Sequence, residues 1–144
     1  MDFGSGLMIT DEQIEQLIAA AGEARRRSYA PYSSFPVGAA LLVSSGRIFT
    51  GCNIENSSFG LTVCAERVAL FKAVSEGERT PVALALVAGS KPVTPCGACR
   101  QVLAEFSSDM TIILAGRTGE VEKVNLLELL PRPFGPHDLK DRSD

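Results

Sequence analysis

Two short stretches carry residue types that can do chemistry together, Thr62-Val63-Cys64-Ala65-Glu66-Arg67 and Pro95-Cys96-Gly97-Ala98-Cys99-Arg100. Cys64, Cys96 and Cys99 can give three thiolates to a zinc ion and leave its fourth tetrahedral position to water, the ligand count of a reactive site. Glu66, two residues past the first thiolate, is then the expected catalytic proton carrier. A metal-held water beside a free carboxylate makes a hydrolytic site.

Three thiolates also oppose that chemistry. They leave the site negatively charged where one histidine and two thiolates would leave it neutral, so the water is harder to ionise and a cationic group must compensate. Arg67, beside Glu66, and Arg100, beside Cys99, are the candidates, through hydrogen bonds to sulfur that tune the metal; a surface ion pair is an equal expectation for Arg100. A lone Cys-x-x-Cys is shared by redox motifs and zinc ribbons, and it is Cys-Ala-Glu upstream and the preceding proline that sharpen it. Cys52 keeps an alternative open: as a fourth ligand it would close the site and leave a non-catalytic, zinc-stabilised module. Its place at the end of an expected strand favours a buried free thiol instead.

Both stretches need elements to hold them. Each falls where a loop enters a helix, and the helix dipole there favours thiolate over thiol. The first helix, about 64 to 76, is apolar nearly all round (Ala65, Val68, Ala69, Leu70, Phe71, Ala73, Val74) and reads as buried, with Gly77 to stop it. Residues i and i+2 of a regular helix do not face each other, so Cys64 is expected in an irregular first turn. The second helix is expected over about 97 to 106.

Upstream, Thr10 is a helix N-cap with Gln13 at the capping-box position, predicting a helix over about 11 to 27 whose last turn, Arg25 to Arg27, is a solvated end. Strands are expected at 37–43 and 47–51 as a hairpin, at 82–88 as a run covered on both faces, and at 111–115 and 121–124. Asn125 can cap a short helix ending before Pro131, and the proline-rich tail beyond is expected not to be helical. The class is α/β, a three-layer α/β/α sandwich around a mixed five-stranded sheet. One domain is expected over 1–144, with loose ends at 1–9 and 140–144.

A chain of 144 residues can bury a full core without disulfides. Its longest apolar run, Val82 to Ala88, is far too short to span a bilayer, and Met1 to Leu7 lacks the regions of a signal peptide, so no membrane association and a cytoplasmic location are expected. In that setting four cysteines suggest metal binding rather than disulfides. A net charge of −3 argues against a nucleic-acid partner and for a small substrate.

Cys64-Ala65-Glu66 followed by Pro95-Cys96-x-x-Cys99 resembles the signature of the zinc-dependent nucleoside and nucleobase deaminases. Phe35-Pro36-Val37-Gly38-Ala39-Ala40, Gly51-Cys52-Asn53-Ile54-Glu55-Asn56, and Leu129-Leu130-Pro131 with Phe134 are similar to the cytidine deaminase family in its small, homotetrameric form. The resemblance implies one zinc per chain, hydrolysis of cytidine and 2′-deoxycytidine in pyrimidine salvage, and a homotetramer whose neighbouring subunits complete each site. It further implies that Asn53 and Glu55 bind the sugar hydroxyl, Phe35 stacks on the pyrimidine, backbone at Ala65 helps hold the base, and Phe134 is core or closes a pocket. Arg67 is by resemblance the compensating cation. Phe59 departs from the tyrosine of similar enzymes, which alters sugar or subunit contacts. Asn53-Ile54-Glu55 and Phe35 fit a blasticidin-type deaminase poorly.

Overall fold

Thr10 turns the chain into its first helix, α1 (Asp11–Arg25), through the expected reciprocal cap: Gln13 N donates to Thr10 Oγ1 and Thr10 N donates to Gln13 Oε1, both at 3.0 Å. The computed structural model describes residues 9–140. The loose ends expected at 1–9 and 140–144 therefore fall, but for Ile9 and Lys140, outside the described residues. The helix stops two residues sooner than its arginine-rich end suggested. Arg25 is also not simply solvated, because its Nε donates to Ala88 O at 2.8 Å.

Five strands follow, β1 (Gly38–Val43), β2 (Ile48–Cys52), β3 (Pro81–Val87), β4 (Thr111–Ala115) and β5 (Val121–Asn125), in the order β2-β1-β3-β4-β5. β1 runs antiparallel to β2 and β3, β3 parallel to β4, and β4 antiparallel to β5, so the sheet is mixed as expected. Successive residues of a strand point to opposite faces. On one face Ala40, Leu42, Ala83, Ala85 and Ile113 meet Leu17 and Ala21 of α1. On the other, Leu41, Leu84, Leu86, Ile112 and Leu114 meet α2 (Ala65–Ser75), α3 (Gly97–Ala104) through Leu103, and α4 (Leu126–Leu129) through Leu126. These are the three layers.

Helices and strands touch backbone to backbone at two glycines. A Cβ on Gly38 would lie 2.0 Å from Ala21 O, and one on Gly51 would lie 2.5 Å from Ala65 O and 2.6 Å from Ala69 N. Only a residue with no side chain fits there.

Three expectations need correction. α2 is not buried all round: Phe71 is 49% exposed and Lys72 lies outside with it, because the sheet covers only the side bearing Ala65, Ala69, Leu70 and Ala73. The outer side forms a groove of about 510 Å³ with Ile54, Leu61, Val63 and Val68. α3 ends at Ala104, where Phe106 N and Ser107 N both turn back to Leu103 O. The tail does hold a helical turn, α5 (Pro136–Leu139), since proline at the first helical position is already set at helical φ and Asp138 Oδ2 accepts from Gly135 N at 2.9 Å. Among the described residues no helix is long and apolar enough to cross a membrane.

Candidate metal and catalytic site

Cys64 and Cys96 hold the same place on their helices. Each is the N-cap, Cys64 of α2 at φ −73°, ψ 156° and Cys96 of α3 at φ −67°, ψ 166°, and neither sulfur caps a backbone N–H of its own helix. Both sulfurs are thus free to face outward from a helix start, and buried Cys99, in the first turn of α3, joins them. The three Sγ atoms lie within 4.8 Å of one another, with Cys64 to Cys96 at 3.9 Å and Cys96 to Cys99 at 3.4 Å. Tetrahedral zinc with Zn–S bonds near 2.3 Å sets its sulfurs about 3.8 Å apart. The trio fits zinc, and it is positioned for it without rearrangement of either helix.

Cys52 stays outside the trio, so the closed four-thiolate alternative does not hold. The spacing problem between Cys64 and Glu66 also resolves. Cys64 is extended and precedes the helix, whereas Glu66 is its second residue, so the two need not share a helical face.

Charge is unevenly divided over this group. The Cys64 thiol is lowered to about 5, first by a hydrogen bond from Cys99 and then by Arg67 and Cys96. Arg67 Nη2 lies 3.5 Å from Cys64 Sγ, and Arg67 Nε is buried with no partner. Cys99 is pushed upward, because it holds its proton against Cys64, is buried, and faces Glu66. A divalent cation at such a trio displaces that remaining proton. Glu66 is 4% exposed, and burial, reinforced by the charge on Cys64, raises its carboxyl to about 7. A buried carboxyl poised there can both accept and return a proton at neutral pH.

Arg100 takes neither of the roles the sequence suggested. Among the described residues it contacts no sulfur and forms no ion pair; Nε donates to Pro95 O at 2.8 Å and Nη1 to Leu129 O at 3.0 Å. His137, the sole histidine, is exposed beside Asp138 and away from the cysteines.

The remaining candidates gather on a second network, around the loop between α1 and β1. Asn53 is buried: Oδ1 accepts from Val37 N at 2.9 Å and from the Ser28 hydroxyl, and Nδ2 donates to Phe35 O at 3.0 Å. Glu55 accepts from Tyr32 N at 2.9 Å, from Ser33 N at 3.1 Å and from the Ser33 hydroxyl, which together hold its carboxyl below the usual carboxylate range. Asn53 and Glu55 thus face one loop, and Asn53 retains one N–H donor for anything else. Ser34, at φ 57°, sits in the left-handed region just before Phe35, a residue 45% exposed. Glu55 also lines a cavity of about 330 Å³ with Tyr32, Ser33, Phe59 and Thr62, and Phe59 meets the Tyr32 ring edge-on. Phe134 is 59% exposed, and its carbonyl accepts from Gln101 Nε2 at 2.7 Å. Ala65 is buried at the start of α2. Ser28, Ser33 and Gln101 were not singled out from sequence. Ser33 lies in the stretch 29–36, whose serines and prolines read only as loop, Ser28 falls just past the expected helix, and nothing in the spacing marks Gln101.

Residues 11–115 match the zinc-binding region of cytidine and deoxycytidylate deaminases. A cytidine deaminase of Sporosarcina psychrophila is 53% identical over 128 residues, spanning 88% of this chain and 94% of that protein. A cytidine deaminase of Halalkalibacterium halodurans is 52% identical over 129 residues, spanning 88% of this chain and 98% of that protein. The crystal structure of cytidine deaminase from Burkholderia pseudomallei matches the fold with a TM-score of 0.82 at 45% identity, over 88% of this chain and 100% of that one.

Proposed function

Because the chain belongs to the cytidine and deoxycytidylate deaminase family, we propose that it serves pyrimidine salvage, taking 2′-deoxycytidine as well as cytidine. It is a zinc-dependent hydrolase that converts cytidine and water to uridine and ammonia. Cys64, Cys96 and Cys99 would hold the zinc, which when bound would supply the Lewis acidity that makes water a nucleophile near neutral pH. The observation that carries the reading is the buried Glu66 carboxyl beside three sulfurs at zinc spacing.

In this reading Glu66 takes the proton of the attacking water and carries protons to the ring nitrogen and the departing amine. Arg67 offsets the negative charge on sulfur. Phe35 stacks on the pyrimidine and backbone at Ala65 helps hold the base. The free N–H of Asn53 and the spare lone pairs of Glu55 take the sugar hydroxyl. Phe134 closes a pocket belonging to a neighbouring subunit. A homotetramer in the cytoplasm, each chain a single domain, is the assembly, and the exposed Phe59, Leu61 and Phe71 support it as surface that a second copy would cover. The net charge of −3 supports a free nucleoside, not a polynucleotide, as substrate.

The test is turnover of cytidine, 2′-deoxycytidine and free cytosine by the parent and by Glu66→Gln, with zinc measured in both proteins. Glu66→Gln is expected to keep its zinc and lose about 10²- to 10⁴-fold in turnover. Unchanged turnover would remove Glu66 from the reaction, and cytosine turned over as well as cytidine would remove the sugar-binding role of Asn53 and Glu55.

A further inference from the structure

The segment that delivers Cys96 is thinly held. Residues 91–95 lead from the end of β3 to the first sulfur of α3, with Val93 against the core and Pro95 buried. Among the described residues, the one hydrogen bond made by this segment is Arg100 Nε to Pro95 O at 2.8 Å. Pro95 O belongs to the peptide joining Pro95 to Cys96, so whatever fixes that carbonyl fixes the direction in which the Cys96 backbone starts. Cys96 is the exposed member of the trio, with the least packing of its own to orient it.

The other arm of Arg100 reaches a firm anchor. Nη1 donates to Leu129 O, at the end of α4, which is seated in the core by fully buried Leu126. The start of α4 is closed by a reciprocal cap, Leu127 N to Asn125 Oδ1 at 2.9 Å and Asn125 N to Glu128 Oε1 at 2.8 Å, and Asn125 Nδ2 donates to Asp109 O at 2.7 Å. A guanidinium offers donors in a rigid plane, so one arginine can hold two carbonyls in a fixed relation where an ammonium on a flexible stem cannot.

We propose that Arg100 is a positioning residue for the metal, a clamp that ties the Pro95–Cys96 peptide to the end of α4 and thereby aims the Cys96 thiolate. It acts through Cys96 and touches neither substrate nor metal. The next residue, Gln101, ties the same helix to Phe134 O and serves as an internal control, because its bond leads to the tail and not to a ligand. The inference rests on the zinc reading above.

The experiment measures zinc release from the purified holoenzyme to an excess of a colorimetric chelator, beside kcat and KM for cytidine and the ligand-field spectrum of the cobalt-substituted protein. Arg100→Ala is expected to release zinc about 10- to 100-fold faster than the parent, with shifted cobalt bands. Its kcat should fall about tenfold while KM stays within about threefold, since the metal and not the nucleoside contacts is disturbed. Arg100→Lys, which can restore one of the two bonds, should fall between, and it decides the matter if Arg100→Ala does not fold. Gln101→Ala should release zinc at the parental rate. Parental release rates and cobalt spectra in the Arg100 variants overturn the clamp, as does equally fast release from Gln101→Ala, which would mark general loosening of α3. A parent protein that turns cytidine over but holds no zinc overturns the metal reading and the clamp with it. A zinc-holding, active parent with insensitive Arg100 variants overturns the clamp alone.

Discussion

The two helices that present the cysteines begin alike and are supported differently. α2 rests on β1 and β2, with Gly51 letting its backbone touch the sheet. Its approach is laced on both sides by Ile54 N to Val63 O at 2.9 Å, Val63 N to Ile54 O at 3.0 Å, Tyr29 N to Asn53 O at 3.0 Å and Glu55 N to Tyr29 O at 2.9 Å. α3 packs chiefly on α2 and α4, and a Cβ on its Gly97 would meet nothing within 4 Å. One ligand helix is therefore placed by backbone, the other by side chains. The lesson concerns where damage should be felt: at a glycine on the α2 side, at an arginine on the α3 side.

The largest effect expected from that difference is on stability, between two identical substitutions. Gly51→Ala puts a methyl group against two backbone atoms that cannot move without lifting α2, and is expected to cost about 3 kcal/mol and lower the zinc content. Gly97→Ala enters open space at a helical position and should be neutral or stabilise by up to about 1 kcal/mol. Urea midpoints of the zinc-loaded proteins check both, and similar losses from the two alanines would erase the contrast.

The two arginines sharpen it next. Arg67 lies on sulfur, where it favours and offsets the thiolate charge of Cys64, whereas Arg100 lies on carbonyls. Arg67→Gln removes a positive charge from beside an anionic metal site, which weakens water activation without weakening attraction for a cation. Turnover should fall about 10- to 100-fold while zinc leaves no faster than from the parent. Faster zinc loss from this variant would mean that Arg67, too, is a mechanical support.

Which side of this contrast is legible in sequence follows from the range of the interactions. The capping box at Thr10, the strand runs and the order of elements are local patterns, and they appear where expected. The cysteines and Glu66 are legible because metal chemistry restricts residue type so strongly that type and spacing nearly suffice. The exposed side of α2 was not, because an apolar residue such as Phe71 reads as core whether its cover comes from the same chain or from elsewhere. Nor were the bonds of Arg100 and Gln101, since they end on carbonyls of Leu129 and Phe134, and every residue has a carbonyl. Side-chain-to-backbone ties across some thirty positions carry no signature in the residue they hold.

The smallest effect belongs to the third restraint on the α2 side, the grip of Glu55 on the loop that Tyr32 and Ser33 share. The Ser33 hydroxyl, and then the amides of Tyr32 and Ser33, favour the ionised carboxylate and hold Glu55 below its ordinary value. In the unfolded chain the same group binds its proton more readily, so around its ordinary value, near 4.3, the unfolded state carries more protons and stability rises with pH. The contribution is complete above that value and disappears as the pH falls through the depressed one. Glu55→Gln keeps an acceptor but no charge. The gap between its urea midpoint and that of the parent should be constant from pH 7 to about 5 and should close below about pH 4. The gap should be small throughout, because the carboxylate is reached by solvent. If it persists undiminished at low pH, the loop is held by neutral hydrogen bonds, and the α2 approach depends on backbone alone.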